Sequence, residues 1–99
     1  MAEAMTVIGV MSGSSLDGID LACCRFTQNE ERWSFEVLAA RTVPYGSELQ
    51  ERLLHASGAS ALELSRLHRD VGQAIGEACR ELHREAPAQL VASHGHTIF

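Results

Sequence analysis

The chain has 99 residues, of which 45% are hydrophobic and 21% charged, a composition typical of one small globular domain. Its formal net charge of −5 argues against a nucleic-acid interface, which needs a basic face. Every basic residue is arginine. The absence of lysine excludes, within this segment, the lysine-dependent Walker A phosphate loop and Schiff-base chemistry.

Cysteine usage and the N-terminus predict a cytoplasmic protein. Cys23, Cys24 and Cys79 form no C-x-x-C pair, and adjacent cysteines on a strand point to opposite faces. Free thiols of this kind suit a reducing compartment. The N-terminus has no basic region and the apolar run at residues 5–11 is short, so neither a signal peptide nor a membrane span is predicted.

The first half of the chain predicts three strands. Residues 6–11 form a continuous apolar run typical of a buried strand, and a loop rich in turn formers follows at residues 12–18. Apolar character resumes over residues 19–26, a polar turn covers residues 27–31, and alternation predicts a third strand from Trp33 to about Thr42. Short connections between consecutive strands favour an antiparallel meander.

The second half predicts two helices and a strand. Ser47 and Gln50 have the spacing of a capping box and Gly58 suits a C-cap, which predicts a helix at about residues 48–56. Ser60 and Glu63 form a second box, and apolar residues then recur at steps of three and four until Pro87. Residues 90–93 predict a strand, followed by a loop at residues 94–97.

The element order is therefore β-β-β-α-α-β. A meander followed by a helical crossover to a strand parallel to the first suits the ribonuclease-H-like half of an actin-like ATPase fold. A further element begins as the chain stops, so we expect residues 1–99 to be the N-terminal part of the first such domain. The remainder of that domain and a second domain would lie outside the chain.

The loop at residues 12–20 carries the most chemical information. Its glycines allow backbone N–H groups to converge on an anion, and the hydroxyls of Ser12, Ser14 and Ser15 add donors for phosphate oxygens. Asp17 and Asp20 would repel a bare phosphate, whereas Mg²⁺ between carboxylate and phosphate reconciles the charges. The loop therefore favours a magnesium-bound nucleotide. The plain alternative is a hairpin turn with solvated aspartates, because turns use the same residue types.

Two segments resemble one family. The sequence IGVMSGSSLDGID at residues 8–20 is similar to the M-S-G-T-S-x-D-G-x-D signature of anhydro-N-acetylmuramic acid kinases, with Ser14 in place of the usual threonine. The sequence SHGHTI at residues 93–98 resembles that family's S-H-G-Q-T-[IV] segment, with His96 in place of the usual glutamine. Both segments stand in the family's order and at about its separation.

The resemblance implies a two-domain sugar kinase of bacterial cell-wall recycling. Such enzymes open the 1,6-anhydro ring of anhydro-N-acetylmuramic acid with water and phosphorylate the freed O6, giving N-acetylmuramic acid 6-phosphate and ADP. By this analogy the ATP phosphates would be held by Gly13, Ser14, Ser15, Leu16, Asp17, Gly18, Ile19 and Asp20. The sugar site would be lined by His94, Gly95, His96 and Thr97.

The resemblance also indicates which residues would hold the metal and where the general base would lie. Asp17 or Asp20 is the candidate Mg²⁺ partner, through water. The general base that activates water is expected beyond Phe99, so neither aspartate is assigned that role. His96 changes the reach of the side chain at its position, although a neutral imidazole, like an amide, offers one donor and one acceptor.

The sequence leaves two alternatives to a kinase open. A nucleotide-binding α/β module without catalysis is the first alternative, and a plain α/β interaction domain is the second. His94 and His96 could be a metal pair, but no third ligand is in view for zinc. The expected partner is a small-molecule substrate, with no nucleic acid and no membrane, and a homodimer of the full-length protein stays open.

Overall fold

Three antiparallel strands form the first half of the fold. In the computed structural model, which describes residues 3–13 and 16–99, these are β1 (Glu3–Ser12), β2 (Ile19–Asn29) and β3 (Arg32–Val43). β1 pairs with β2 and β2 pairs with β3, so the predicted meander is confirmed.

The strands are longer than the apolar pattern predicts. Backbone pairing continues through polar residues at the distal end, where Glu3 lies opposite Gln28 and Asn29 lies opposite Arg32. The predicted turn at residues 27–31 therefore shrinks to Glu30 and Glu31. Glu30 has a left-handed φ of 61°, as tight hairpin turns require.

The first helix begins and ends differently from the prediction. α1 spans Ser47–Leu54, its N-cap is Gly46, and no side chain caps it. The predicted capping box is wrong because the Gln50 side chain reaches Leu16 instead of the helix N-terminus. Gly58 is not the C-cap: His55 takes that position, and Gly58 ends a separate 3₁₀ helix, Ala56–Gly58.

The second helix, α2, spans Ala61–Glu85 and forms as predicted. The Ser60 hydroxyl oxygen accepts a hydrogen bond from the Glu63 backbone N–H at 3.1 Å, which confirms that cap. The helix packs against the sheet through its predicted apolar stripe, whose buried members are Leu67, Val71, Ala78 and Leu82.

The chain then crosses to β4 (Leu90–His96), which lies parallel to β1, as predicted. The strand order is β3-β2-β1-β4. The predicted strand at residues 90–93 continues through His94, Gly95 and His96, so only Thr97 of the predicted loop lies outside it. The pairing with β1 shifts register between Val10 and Ser12, and Gly95 has a φ of 77°.

The core lies between α2 and one face of the sheet. Ile8, Ile19, Cys23 and Leu82 are its most deeply buried large side chains. Burial raises the pKa of the Cys23 thiol, and the same cause raises the pKa of Cys79. Cys23 is buried and Cys24 only half-buried, so the prediction that they point to opposite faces is confirmed.

An ion cluster joins the two helices. Arg52 of α1 lies 2.9 Å from one carboxylate oxygen of Asp70 in α2, and Arg69 lies 3.1 Å from the other. Hydrogen bonds from Arg52 first, and then from Arg69, hold the pKa of Asp70 below its ordinary value. The cluster fixes α1 against α2 and so fixes the helix that contacts the β1–β2 loop.

Candidate functional site

The loop between β1 and β2 turns sharply after Gly13. The backbone N–H of Leu16 donates to the Gly13 carbonyl at 3.1 Å, and Leu16 has a left-handed φ of 60°. A branched side chain is uncommon in this conformation, but the Leu16 side chain is buried in the core, which compensates for the strain. The Leu16 amide is thus used inside the turn and is not free to bind an anion.

Ser14 and Ser15, both predicted to bind phosphate, lie outside the described residues. The convergence of backbone amides that the sequence predicts for this loop therefore stays a prediction.

Gly18 brings the end of the loop against β3. Its φ is 152°, and a Cβ atom there would overlap the Val43 carbonyl oxygen and lie 2.9 Å from the Cα of Pro44. Real Cβ atoms do not approach backbone so closely. The following residue, Ile19, is buried and begins β2, so this side chain serves the core.

Helix α1 holds the loop from the other side. The Gln50 side-chain N–H donates to the Leu16 carbonyl at 3.0 Å. This bond satisfies a backbone group that the turn leaves without a strand partner. Gln50 was predicted only as a capping residue, and no local pattern could have indicated a contact 34 residues away along the chain.

The two aspartates have different surroundings. Asp20, near the start of β2, is exposed and accepts a hydrogen bond from the Thr42 hydroxyl at 2.6 Å. Asp17 is also exposed, in the loop. In the described residues no three histidine, cysteine or acidic side chains are grouped as metal ligands. The magnesium site at these aspartates therefore stays a prediction.

Asp20 borders a shallow depression on the face of the sheet opposite α2. The depression has a volume of about 510 Å³, and Gly9, Ala22 and Ala92 form its floor. His94 of β4 borders it as well. The Asp20 carboxylate is exposed, and its Oδ1 accepts a hydrogen bond from the neutral Thr42 hydroxyl, so its negative charge is not paired with a cationic side chain in this contact. Such a carboxylate fits a hydrated cation.

The second motif is the family-like segment at residues 93–98, and its four predicted sugar-site residues do not all lie on one side of β4. His94 borders the depression beside β2, whereas His96 borders an apolar groove of about 440 Å³ between β4 and α2. Gly95, which lies between them at a positive φ, donates its N–H to the Ser93 hydroxyl at 3.3 Å. Thr97 is exposed just beyond the strand.

Ser12 links the two motifs from inside the fold. Its hydroxyl lies 2.5 Å from the Tyr45 hydroxyl and 2.8 Å from His96 Nδ1, and the residue is only 4% exposed. The prediction that Ser12 donates to phosphate is therefore wrong for this conformation, because its hydroxyl is engaged inside the fold. Tyr45 was missed because these contacts span 33 and 84 positions in sequence.

Both motifs thus lie at the carboxyl ends of neighbouring parallel strands. Ser12 pairs directly with His96, so the loop after β1 and the end of β4 share one edge of the sheet. In α/β folds, ligands bind outside the carboxyl ends of the strands. This edge is the candidate site.

The meander, the helical crossover to a parallel fourth strand and the glycine loop after β1 are those of the N-terminal half of an actin-like ATPase fold, the fold class that the sequence predicts. The family model described as "Anhydro-N-acetylmuramic acid kinase" matches residues 5–99. The chain belongs to this kinase family.

Individual relatives agree with the family match. The chain is 38% identical over 99 residues to the anhydro-N-acetylmuramic acid kinase of Microcystis aeruginosa, covering 96% of this chain and 26% of the relative. The kinase of Picosynechococcus sp. gives the same identity and shares. That of Trichormus variabilis is 37% identical over 97 residues, covering 94% of this chain and 25% of the relative.

The chain therefore spans about a quarter of the length of the relatives it matches. None of the helices in residues 3–13 and 16–99 combines the length and the apolar character that crossing a membrane requires.

Proposed function

We propose that these residues form the phosphate-holding part of an ATP-dependent kinase that acts on anhydro-N-acetylmuramic acid. The enzyme would open the 1,6-anhydro ring with water and phosphorylate O6, giving N-acetylmuramic acid 6-phosphate and ADP in cytoplasmic peptidoglycan recycling. The observation that carries the proposal is the pairing of Ser12 with His96, which brings the two family-like motifs to one edge of the sheet.

The loop residues have defined roles in this proposal. The loop backbone after Gly13, apart from the Leu16 N–H that the turn already uses, would contact the ATP phosphates, and Gly18 holds the end of the loop close to β3. Asp17 and Asp20 attract Mg²⁺ through water, and the cation would offset the charge of the phosphates. Phosphoryl transfer depends mainly on such positioning and charge stabilisation.

The second motif would contact the sugar. His94 and His96 border the sheet edge on opposite sides of β4, and Gly95 and Thr97 lie between and after them. The general base that activates water is assigned to none of these residues. Since the chain spans about a quarter of its relatives, we expect the isolated 99 residues to bind nucleotide weakly and to show no turnover.

Calorimetric titration of the complete gene product with ADP, with and without Mg²⁺, tests the proposal. We expect Mg²⁺-dependent binding that weakens by about tenfold or more in Asp17→Ala or Asp20→Ala, since a lost charge contact of about 1.4 kcal/mol changes affinity tenfold. Glu31→Ala is the matched control, because this exposed carboxylate lies in the β2–β3 turn at the other end of the sheet.

The outcomes separate the rival functions. Mg²⁺-dependent binding together with phosphorylation of anhydro-N-acetylmuramic acid supports the kinase. Nucleotide binding without turnover in the complete gene product favours a non-catalytic nucleotide-binding module. Unchanged affinity in both aspartate variants would remove the role assigned to the loop.

A further inference from the structure

Three hydrogen-bonding side chains from separate parts of the chain meet beneath the candidate site. Ser12 ends β1, Tyr45 lies in the connection between β3 and α1, and His96 ends β4. Tyr45 is 9% exposed and belongs to the core cluster. The Ser12 hydroxyl lies between the other two groups, 2.5 Å from the phenol oxygen and 2.8 Å from His96 Nδ1.

The protons of this cluster can be assigned by counting donors and acceptors. The Tyr45 phenol and the Ser12 hydroxyl carry one proton each, and Nδ1 of a neutral imidazole carries either a proton or a lone pair. Among the side-chain contacts of the described residues, Ser12 is the one hydrogen-bond partner of Tyr45, and Ser12 has no third partner.

Only one arrangement uses both hydroxyl protons inside the cluster. The phenol donates to Ser12, and Ser12 donates to Nδ1, which accepts. If Nδ1 carried a proton and donated to Ser12, either the phenol proton or the serine proton would have no acceptor in the cluster. Since both hydroxyls are buried, an unmatched proton is costly.

We propose that Tyr45 and Ser12 are positioning residues that hold His96 in its Nε2–H tautomer, so that the second motif meets its ligand as a hydrogen-bond donor. With Nδ1 accepting from Ser12, the remaining ring nitrogen carries the proton. The ligand class is therefore an oxygen acceptor, such as a sugar hydroxyl, a carbonyl or a carboxylate. The donor role toward a sugar rests on the proposed function, whereas the tautomer does not.

The same cluster, a relay of two hydrogen bonds from Tyr45 through Ser12 to His96, also connects the two motifs. Ser12 immediately precedes the phosphate loop, and His96 belongs to the predicted sugar-binding segment. A change in the His96 hydrogen bond would therefore reach the base of the loop through one hydroxyl group.

Nuclear magnetic resonance of the ¹⁵N-labelled complete gene product tests the tautomer directly. Long-range ¹H–¹⁵N correlation at about pH 8.5, where an ordinary imidazole is neutral, reports which ring nitrogen carries the proton. The His96 signals are those lost in His96→Gln. We expect Nδ1 of His96 to resonate as an unprotonated acceptor and Nε2 as a protonated donor.

Two variants test the positioning. In Ser12→Ala and in Tyr45→Phe we expect the two His96 nitrogen signals to move toward each other, because the tautomers then interconvert. Thr42→Val is the control, since it removes a hydroxyl that binds Asp20 outside the relay, and it should leave the His96 signals unchanged. If Ser12→Ala does not fold, Tyr45→Phe, which keeps the buried ring, decides the question.

Contrary outcomes are equally clear. A protonated Nδ1 in the unsubstituted chain, or the same averaged signals with and without the Ser12 and Tyr45 hydroxyls, would overturn the inference.

The activity of the complete gene product tests the donor role. His96→Gln keeps an acceptor and a donor and should hold the sugar KM near its original value, whereas His96→Leu should raise it. Equal KM values in both variants would refute the donor role, while absence of turnover in the unsubstituted protein would refute the proposed function and leave the tautomer standing.

Discussion

Gly18 shows how a single residue shapes the candidate loop. The predicted need for backbone freedom in this loop is confirmed here by a φ of 152°, and the space beside Gly18 is filled by the backbone of Val43 and Pro44. Two independent constraints, the dihedral angle and the close backbone contact, therefore act on one position.

Gly18→Ala should destabilise the protein strongly. The added Cβ would meet backbone atoms that cannot rotate away, so either β3 or the loop must move. We expect a loss of about 3 kcal/mol or more in the free energy of unfolding, measured by urea denaturation. Nucleotide affinity should fall as well, because the loop backbone is displaced.

Gly76→Ala is the matched substitution. Gly76 is exposed within α2, and nothing lies within 4 Å of the place that an added methyl group would take, so alanine should stabilise the helix by up to about 1 kcal/mol. Equal effects of the two substitutions would show that Gly18 acts only through general backbone entropy and not through the contact with β3.

Residue types in the loop could be interpreted from the sequence, but their partners could not. Glycine and aspartate indicate turn and charge chemistry locally, and this interpretation placed the candidate loop correctly between β1 and β2. The contacts of Ser12 with Tyr45 and His96 join positions 33 and 84 residues apart. No local pattern carries that information, so Ser12 was assigned to phosphate although its hydroxyl is engaged inside the fold.

At the scale of elements, the register of the strands explains where prediction from the sequence stopped. The apolar pattern identified every strand, through continuous apolar runs in β1 and β4 and through alternation in β3, whose apolar residues Trp33, Phe35 and Val37 lie on the uncovered face. The ends of β1 and β2 pair through backbone groups regardless of side chain, so Glu3 and Asn29 gave no signal. The bulge near Gly95 likewise concealed the last pairing of β4 from the sequence pattern.

Helix α1 acts on the site through one side chain. Gln50 was placed in a capping box because its spacing from Ser47 is correct, yet its amide donates to Leu16. Gln50→Ala removes the donor and leaves the Leu16 carbonyl without that partner. We expect a loss of about 1 kcal/mol in the free energy of unfolding and weaker Mg²⁺-ADP binding, measured by urea denaturation and calorimetric titration.

Gln73→Ala provides the comparison for this prediction. Gln73 is an exposed residue of α2, and its truncation should change both quantities little. If Gln50→Ala lowers stability but leaves nucleotide affinity unchanged, the bond supports only the fold, and the bracing of the loop by α1 would be refuted.

The whole molecule is a sheet with one covered face. Helix α2 packs on the side of Ile8, Leu21 and Cys23, while the opposite side of the ribbon formed by β1, β2 and β3 carries large exposed apolar residues. These residues share that face through the two-residue period of the strands, and the exposed set comprises Met5, Phe26, Trp33, Phe35 and Val37. The chain extends 52 Å along its longest axis, because the ribbon projects beyond the helix.

An apolar surface of this kind should make the isolated chain self-associate. Contiguous exposed apolar patches are aggregation surfaces when nothing covers them. Phe35, which is 68% exposed and contacts Phe26 with ring centroids 6.3 Å apart, lies in this patch. Phe35→Thr introduces a β-branched residue that suits a strand, so it should preserve β3 while reducing both dye binding by exposed apolar surface and the average sedimentation coefficient.

Leu62→Thr distinguishes association through the apolar patch from association caused by any exposed apolar residue. Leu62 is 59% exposed on α2, a value close to that of Phe35, but it stands outside the ribbon. Its replacement should leave sedimentation and dye binding nearly unchanged. Equal reductions in the two variants would mean that scattered apolar residues drive association, whereas a reduction only in Phe35→Thr locates the associating surface on the uncovered face of the sheet.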